Sequence, residues 1–268
     1  MEAASTQFAP LLASHEKPPY RIENPGGKAA MVLTCDHASC AVPGSLANLG
    51  LSVEDLRRHI GWDIGAESVT LRLAERFDAP AVLSAYSRLV IDCNREIGSE
   101  SSIPRISDGT VIPGNLGING FEAERRATAL FDPYHRAIAG VLDSVRAQGV
   151  EPVFVAIHSF TRRLQNGFAR PWHYGVLWDQ DARIAPRLVA ALGRHPGAVV
   201  GDNEPYSGRD HFDFSQDHHA GSAGLASALV EIRDDLIRDT EGIEQHSKIL
   251  GDALEDVVST MTLGQGGK

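Results

Sequence analysis

Two histidines follow apolar runs of the chain, at the points where strands are expected to end. His37 comes shortly after residues 29–34, and His158 comes directly after residues 153–157. Imidazole together with carboxylate is a usual ligand set for zinc, and three protein ligands leave an open position for water in catalytic sites. We therefore expect His37 and His158 to be two ligands of a catalytic metal ion.

A carboxylate is expected to complete this ligand set. Asp63 precedes a predicted helix in the segment GWDIG at residues 61–65 and is the best candidate for the third ligand. Asp36 and Glu67 are the alternatives. The position of Asp63 also has a purely structural explanation, because a negative charge at a helix N-terminus interacts favourably with the helix dipole.

Glu231 lies inside the apolar run ALVEI at residues 228–232. Burial of a carboxylate is costly and raises its pKa toward the range of a general base. We therefore expect Glu231 to be the catalytic base. The alternative is a glutamate on the solvent face of an edge strand, paired with Arg233.

Arginine side chains near predicted strand ends favour an acidic substrate. A guanidinium group binds a carboxylate through two parallel hydrogen bonds, and Arg88 and Arg95 are both candidates for this contact. Surface ion pairs are the alternative role for both arginines. We also expect substrate contacts from Tyr206, in the turn-forming segment 202–208, and from His219, in the His-rich tract 210–219.

Apolar patterning predicts strands that alternate with helices. Strands are expected over residues 29–34, 81–84, 88–93, 153–157, 175–178, 198–200 and 225–232. Helices are expected over residues 52–59, 64–77, 121–148 with a break at Pro133, 182–192 and 242–258. This alternation predicts an α/β sheet with helices on both faces, in which ligands bind beyond the carboxyl ends of the strands.

The chain length suits one α/β domain. Residues 1–28 are rich in Pro, Ser and Gly and predict an extended N-terminal arm, and residues 29–268 predict a single catalytic domain. Residues 97–120 form a long Gly/Ser/Pro-rich segment without periodicity. Loops of this length in compact domains are usually functional or mobile.

Composition disfavours several other classes of protein. The chain has 25 Lys and Arg against 35 Asp and Glu, and the resulting net charge of −10 disfavours binding to nucleic acid. Three cysteines without CxxC spacing do not indicate a disulfide framework. Since neither a signal peptide nor a membrane-spanning run is evident, we expect a cytoplasmic location and no membrane partner. Serine hydrolase and nucleotide-binding motifs are also missing.

Six short motifs occur in a characteristic order between about residues 30 and 260. They are DHAS at 36–39 with Pro43, GWD at 61–63, SRLVIDCNR at 87–95, HSF at 158–160, NEPYSG at 203–208 and VEIR at 230–233. Their joint order resembles the N-formylglutamate amidohydrolase family, which is similar to the zinc carboxypeptidase and aspartoacylase group. The resemblance implies a zinc-carboxypeptidase-like fold, a three-layer α/β/α sandwich around a mixed, mostly parallel sheet.

The resemblance also implies roles for individual residues. His37 and His158 would be zinc ligands, Asn94 and Arg95 would hold the substrate carboxylate, and Glu231 would activate water. The carboxypeptidase pattern has a glutamate three residues after the first histidine, but Cys40 occupies that position here. Asp63 is the substitute that chemistry and motif order favour.

The residues and the resemblance together predict a zinc-dependent amidohydrolase. Its substrate would be a small acidic N-acyl amino acid such as N-formylglutamate. A carboxypeptidase-like or peptidoglycan-amide hydrolase is one alternative. A catalytically silent metal-binding or ligand-binding protein is the other.

Overall fold

A seven-stranded sheet forms the centre of the computed structural model, which describes residues 10–211 and 213–264. The strands are β1 (Tyr20–Glu23), β2 (Met31–Cys35), β3 (Ala81–Ser84), β4 (Ile106–Ser107), β5 (Thr110–Val111), β6 (Val153–Phe160), β7 (Tyr174–Leu177), β8 (Val200–Asp202) and β9 (Ser227–Arg233). Strands β4 and β5 form a separate hairpin, and the others are ordered β1-β3-β2-β6-β9-β7-β8. Only the β1–β3 and β7–β9 pairs of this sheet are antiparallel, which confirms the predicted mixed, mostly parallel sheet.

Helices cover both faces of the sheet. They are α1 (Val53–Leu56), α2 (Ala66–Phe77), α3 (Gly120–Arg126), α4 (Asp132–Arg146), α5 (Ala185–Gly193), α6 (Phe214–Gln216) and α7 (Thr240–Gly264). Helices α2, α5 and α7 pack on one face, and α4 packs on the other. This arrangement confirms the predicted α/β sandwich. Within the described ranges, no helix combines the length and the apolar character needed to cross a membrane.

Strand β6 shows why the central strands are apolar on both faces. Val153, Val155 and Ile157 pack in the core shared with α2, α5 and α7, whereas Phe154 and Ala156 pack in the core that contains α4. Strands covered on both faces have near-continuous hydrophobic sequences rather than alternating ones. The apolar run that predicted this strand therefore reflects a helix layer on each side.

The strand predicted over residues 88–93 is wrong. The chain makes consecutive turns there, in which Val90 N donates to Ser87 O and Arg95 N donates to Asp92 O. The side chain of Asp92 closes the second turn by accepting a hydrogen bond from Asn94 N at 2.9 Å. Aspartate favours such turns through contacts with the backbone two residues on. Leu89, Val90 and Ile91 are buried in a third core cluster, and Cys93 packs in the core that contains α4.

The predicted break at Pro133 is also wrong. A π-helical turn, Ala127–Phe131, joins α3 to α4, and Pro133 lies at the second position of α4. A π-helical turn changes the hydrogen-bond register of a helix. The missing N–H of Pro133 is therefore accommodated without ending the helix.

The segment predicted as an extended arm contributes an edge strand. Residues Tyr20–Glu23 form β1, which pairs antiparallel with β3. Residues 1–9 of the predicted arm lie outside the described residues. The predicted division of the chain at residue 28 stays a prediction.

Candidate active site

The parallel strands bring the candidate catalytic residues to one edge of the sheet. Strand β2 ends directly before Asp36 and His37, and its neighbour β6 carries His158 near its carboxyl end. Glu231 on β9 is the register partner of His158. Because adjacent register partners in a sheet point to the same face, the two side chains lie on one side of the sheet.

A loop before α2 carries Asp63 to this edge. Asp63 N donates to His37 O at 3.0 Å, which ties the loop to the end of β2. Gly65 follows with a φ of +82°, and a Cβ there would lie 2.1 Å from Ile237 O. Only glycine fits this conformation and this close approach without strain.

His37, Asp63 and His158 form a compact buried cluster. Asp63 Oδ2 lies 3.2 Å from His37 Nδ1 and 2.8 Å from His158 Nδ1. One ligand atom from each residue lies within 4.8 Å of the other two. Of the other two carboxylates considered for the third position, Asp36 contacts the far nitrogen of His158, and Glu67 pairs with Arg21 at the surface.

Each imidazole of the cluster is held by a further carboxylate on its other nitrogen. His37 Nε2 donates to Asp92 Oδ1 at 2.7 Å, and His158 Nε2 donates to Asp36 Oδ2 at 3.0 Å. Histidines that bind metals commonly donate their second ring N–H to a carboxylate in this way. In the neutral tautomer with its proton on Nε2, each ring has its Nδ1 lone pair directed toward Asp63.

This donor set fits a cation. Two imidazole lone pairs and an anionic oxygen converge on a small volume, and they repel one another unless positive charge lies between them. Protonation of the rings is the other way to supply that charge. Accordingly, the pKa of His158 lies well above its usual value. Burial lowers this pKa, but hydrogen bonds to Asp36 and Asp63 raise it by more. The pKa of His37 is also raised. Burial and the positive charge of Arg88 lower it, but the negative charges of Asp92 and Asp63 raise it by more.

The outer carboxylates are themselves anchored. Asp36 Oδ1 accepts hydrogen bonds from Tyr134 OH at 2.8 Å and from Ser215 Oγ at 2.6 Å. Asp92 Oδ2 accepts from Arg88 Nε and Nη2 at 3.0 and 2.8 Å. Sequence reasoning missed Tyr134, Ser215 and the role of Asp92. Tyr134 and Ser215 carry no sequence signal, whereas Asp92, an acid in an apolar run, resembles Glu231 in that respect.

Glu231 is buried beside the cluster. Its Oε2 atom is buried without a hydrogen-bond partner among the described residues. Burial, assisted by the negative charges of Asp63 and Asp213, raises the pKa of Glu231 to about 7 against the effect of His158. A carboxylate with this pKa can both accept and donate a proton near neutral pH.

A cavity of about 1190 Å³ is lined by Arg88 and Asp92, which contact the cluster, but not by the cluster residues themselves. Arg88, Asp92, Arg95 and Tyr206 are among its lining residues. Arg88 Nη1 lies 3.3 Å from Asp63 Oδ1 and Asp92 Oδ1 lies 2.7 Å from His37 Nε2, so both of these lining residues connect the cavity wall to the cluster. Arg95 Nη1 donates to Asn94 O at 2.8 Å.

The side chains of Asn94 and His219 are held by hydrogen bonds within the protein. Asn94 Nδ2 donates to Asp213 Oδ1 at 3.0 Å, and Asn94 Oδ1 accepts from Ser215 N at 2.9 Å. His219 Nε2 lies 2.9 Å from His135 Nδ1, and His135 Nε2 donates to Cys93 O at 2.8 Å. His219 thus supports the turn at residues 93–94 through His135. Its predicted contact with substrate stays a prediction.

The model of the N-formylglutamate amidohydrolase family matches residues 29–238. The chain belongs to this family. Among solved structures, the gene product Atu2144 from Agrobacterium tumefaciens is 33% identical with a TM-score of 0.90, over 94% of this chain and 99% of that one. The N-formylglutamate amidohydrolase from Ralstonia eutropha JMP134 is 18% identical with a TM-score of 0.67, over 92% and 100% of the two chains. No curated protein matches the sequence.

Membership of the N-formylglutamate amidohydrolase family confirms the resemblance inferred from motif order. The matched range contains all of the residues discussed above as candidate ligands, base and substrate contacts. The candidate site therefore lies within the part of the chain that defines the family.

Proposed function

We propose that this family member is a metal-dependent amidohydrolase that cleaves the acyl amide bond of a small acidic N-acyl amino acid, such as N-formylglutamate. The observation that carries the proposal is the buried cluster of His37, Asp63 and His158 beside Glu231, whose Oε2 atom has no hydrogen-bond partner within the described part of the chain. The family and the name of the Ralstonia relative support the substrate class.

Zinc is the metal that this donor set suits best. Two imidazole nitrogens and one carboxylate oxygen are typical of catalytic zinc sites, which keep one further position open. Nδ1 of His37, Nδ1 of His158 and the carboxylate of Asp63 would hold the ion. When bound, a divalent ion supplies Lewis acidity toward the acyl carbonyl and the attacking water.

Glu231 is the residue that would move the proton. It takes a proton from the water that attacks the acyl carbon and passes it to the nitrogen of the leaving amine. A base with a pKa near 7 is matched to this double task at neutral pH.

Arg95 and Asn94 would place the substrate. Arg95 lines the cavity beside the cluster, where its guanidinium can bind the carboxylate of the amino acid. Asn94 shapes the same turn and would add the carboxylate contact implied by the resemblance. Fixing the carboxylate holds the scissile amide near Glu231 and converts binding energy into orientation.

The proposal is tested by hydrolysis of N-formylglutamate with and without a chelator. Glu231→Gln keeps the size of the side chain but removes the base, so kcat should fall about 10²–10⁴-fold. Its bound metal, measured by atomic absorption, should be unchanged. His158→Ala should lose both metal and activity.

Other outcomes favour the alternatives. Full activity of His158→Ala on N-formylglutamate without zinc would refute the proposal. Cleavage of peptides but not of N-acyl amino acids would indicate a carboxypeptidase-like enzyme. Bound zinc without hydrolysis across a panel of acyl amino acids would indicate a silent binding protein.

A further inference from the structure

The segment of residues 213–215 connects two parts of the candidate site. Ser215 is 1% exposed, and its Oγ donates to Asp36, the carboxylate that holds His158. The backbone N–H of Ser215 donates to Asn94 Oδ1 at 2.9 Å. The segment therefore fixes where Asn94 lies relative to the candidate metal cluster.

Asp213, the first residue of this segment, contacts both members of the pair that is proposed to bind the substrate carboxylate. Its Oδ1 accepts from Asn94 Nδ2 at 3.0 Å and lies 3.9 Å from Arg95 Nη1. The same Nη1 donates to Asn94 O at 2.8 Å. Since the Asp213 side chain is 15% exposed, solvent screens these contacts only in part.

The contacts of the segment fix which way the amide of Asn94 points. A side-chain amide has a donor end and an acceptor end, which exchange places when the group turns over. In the observed orientation, Ser215 N donates to the oxygen and Asp213 accepts from the nitrogen. The reverse orientation would place oxygen against the Asp213 carboxylate and nitrogen against an N–H group, and both contacts would be repulsive. The NH2 group of Asn94 and the guanidinium of Arg95 therefore lie beside the same carboxylate oxygen.

This arrangement suits a carboxylate ligand. An ionised carboxylate only accepts hydrogen bonds, and a side-chain NH2 group has two N–H donors. Asn94 uses one of them on Asp213, and the second, together with the guanidinium of Arg95, can donate to a substrate carboxylate. With the amide turned over, its oxygen would face that carboxylate and repel it.

The negative charge of Asp213 would by itself have the opposite effect. At 3.9 Å from Arg95 Nη1, it competes with a substrate carboxylate for the same guanidinium. If charge were its only role, removing the charge would strengthen carboxylate binding, and moving it by one methylene would change little. Charge and position thus predict different results for conservative substitutions of Asp213.

We infer that Asp213 is a positioning residue for substrate binding, which holds the Asn94 amide and the Arg95 guanidinium in the arrangement that binds the substrate carboxylate. This inference rests on the proposed function, which places that carboxylate at Arg95 and Asn94. Asp213 acts through these two side chains and not on the reacting atoms.

The test is kcat/KM on N-formylglutamate and on its two monoamides, N-formylglutamine and N-formylisoglutamine. Each monoamide replaces one carboxylate by an uncharged group of the same shape. The monoamide that the wild type cleaves less well identifies the carboxylate that the pair binds. The ratio of kcat/KM for N-formylglutamate over this monoamide measures recognition of the carboxylate, and a general loss of structure does not change it.

Two variants separate position from charge. Asp213→Glu keeps the charge but displaces the carboxylate by one methylene, so the ratio should fall about tenfold or more, because misplaced positioning groups lose the orientation of the substrate. Asp213→Asn removes the charge but keeps an oxygen that accepts from Asn94 Nδ2, so the ratio should be at least that of the wild type. Both variants should bind zinc like the wild type.

Asp210→Glu makes the same substitution at a nearby exposed position and should leave the ratio unchanged. An unchanged ratio in Asp213→Glu overturns the inference and leaves the proposed function intact. A fall in Asp213→Asn as large as in Asp213→Glu overturns it too. Equal cleavage of all three substrates by the wild type overturns the carboxylate contact and the inference with it. Absence of hydrolysis of all three substrates by the wild type would refute the proposed function itself.

Discussion

At the scale of single residues, each histidine of the candidate site is paired with a carboxylate that orients it, rather than standing as an isolated ligand. Asp92 and Asp36 each bind the outer nitrogen of one cluster histidine, and these contacts set the tautomer that directs both Nδ1 atoms inward. The sequence predicted His37 and His158 because each follows an apolar run of the chain. It did not predict the two outer contacts, because which nitrogen of a ring meets which carboxylate depends on distances between separate loops.

The outer carboxylate of His37 is expected to control metal affinity. Asp92→Asn removes the charge that orients and polarises the imidazole, so the affinity for Zn²⁺ should fall about 10–100-fold. Competition with a chromophoric chelator measures this affinity. Asp143→Asn, at an exposed position of α4, is the control and should bind zinc like the wild type. Equal affinities in the two variants would contradict the role assigned to Asp92.

At the scale of elements, parallel neighbours β2, β6 and β9 explain why residues far apart in sequence meet. Their carboxyl ends lie at one edge of the sheet, as the alternation of strands and helices predicted. The segment at 88–93 shows the limit of that reasoning. Leu89, Val90 and Ile91 pack in the third core cluster rather than in the sheet, and hydrophobicity alone does not distinguish this burial from burial in a strand.

The buried side chain of Arg126, which donates hydrogen bonds to the backbone of Val90 and Gly114, is expected to stabilise the protein. Arg126→Met leaves the backbone oxygens of Val90 and Gly114 without their donor, and each such loss costs about 1–3 kcal/mol. We expect the free energy of unfolding in urea to fall by about 3 kcal/mol. Arg136→Met on the exposed side of α4 should change it by less than about 0.5 kcal/mol. If Arg126→Met lowers the free energy of unfolding no more than Arg136→Met does, the hydrogen bonds of Arg126 do not stabilise the protein.

At the scale of the whole molecule, the net charge of −10 coexists with two arginines placed beside the candidate site. Arg88 and Arg95 line the cavity, and the cluster beside it fits a cation. The average charge disfavours polyanionic partners, which stays an expectation, and it does not describe how charges are arranged at the site. The size of the cavity was beyond the sequence, because it depends on how the 97–120 loop is held against the core.

Two buried histidines are expected to make folding sensitive to acid. Burial lowers the pKa of His135 to about 4, and burial together with His135 lowers that of His219 to about 3. Below pH 6.5 the unfolded chain protonates these rings and the folded protein does not, so stability falls as the pH falls toward 4. Glu231 has the opposite effect over part of this range, because its pKa is raised in the folded state.

A variant isolates the contribution of one of these rings. Between pH 6.5 and pH 5, the wild type should lose about 2 kcal/mol more unfolding free energy than His219→Gln, since only the wild type has the ring at position 219. The effect of Glu231 is common to both proteins and cancels in the difference. Urea unfolding at the two pH values measures it. Equal losses in the two proteins would show that His219 is not buried in its neutral form.

In the proposed mechanism, a single divalent ion held by His37, Asp63 and His158 is required for amide hydrolysis. The most direct measurement is the rate of N-formyl amino acid hydrolysis by chelator-treated protein as Zn²⁺ is added in measured amounts per chain. We predict no activity before addition, a linear rise, and saturation at one ion per chain, with no recovery in His37→Ala. Full activity in the chelated protein before any metal is added would contradict the account.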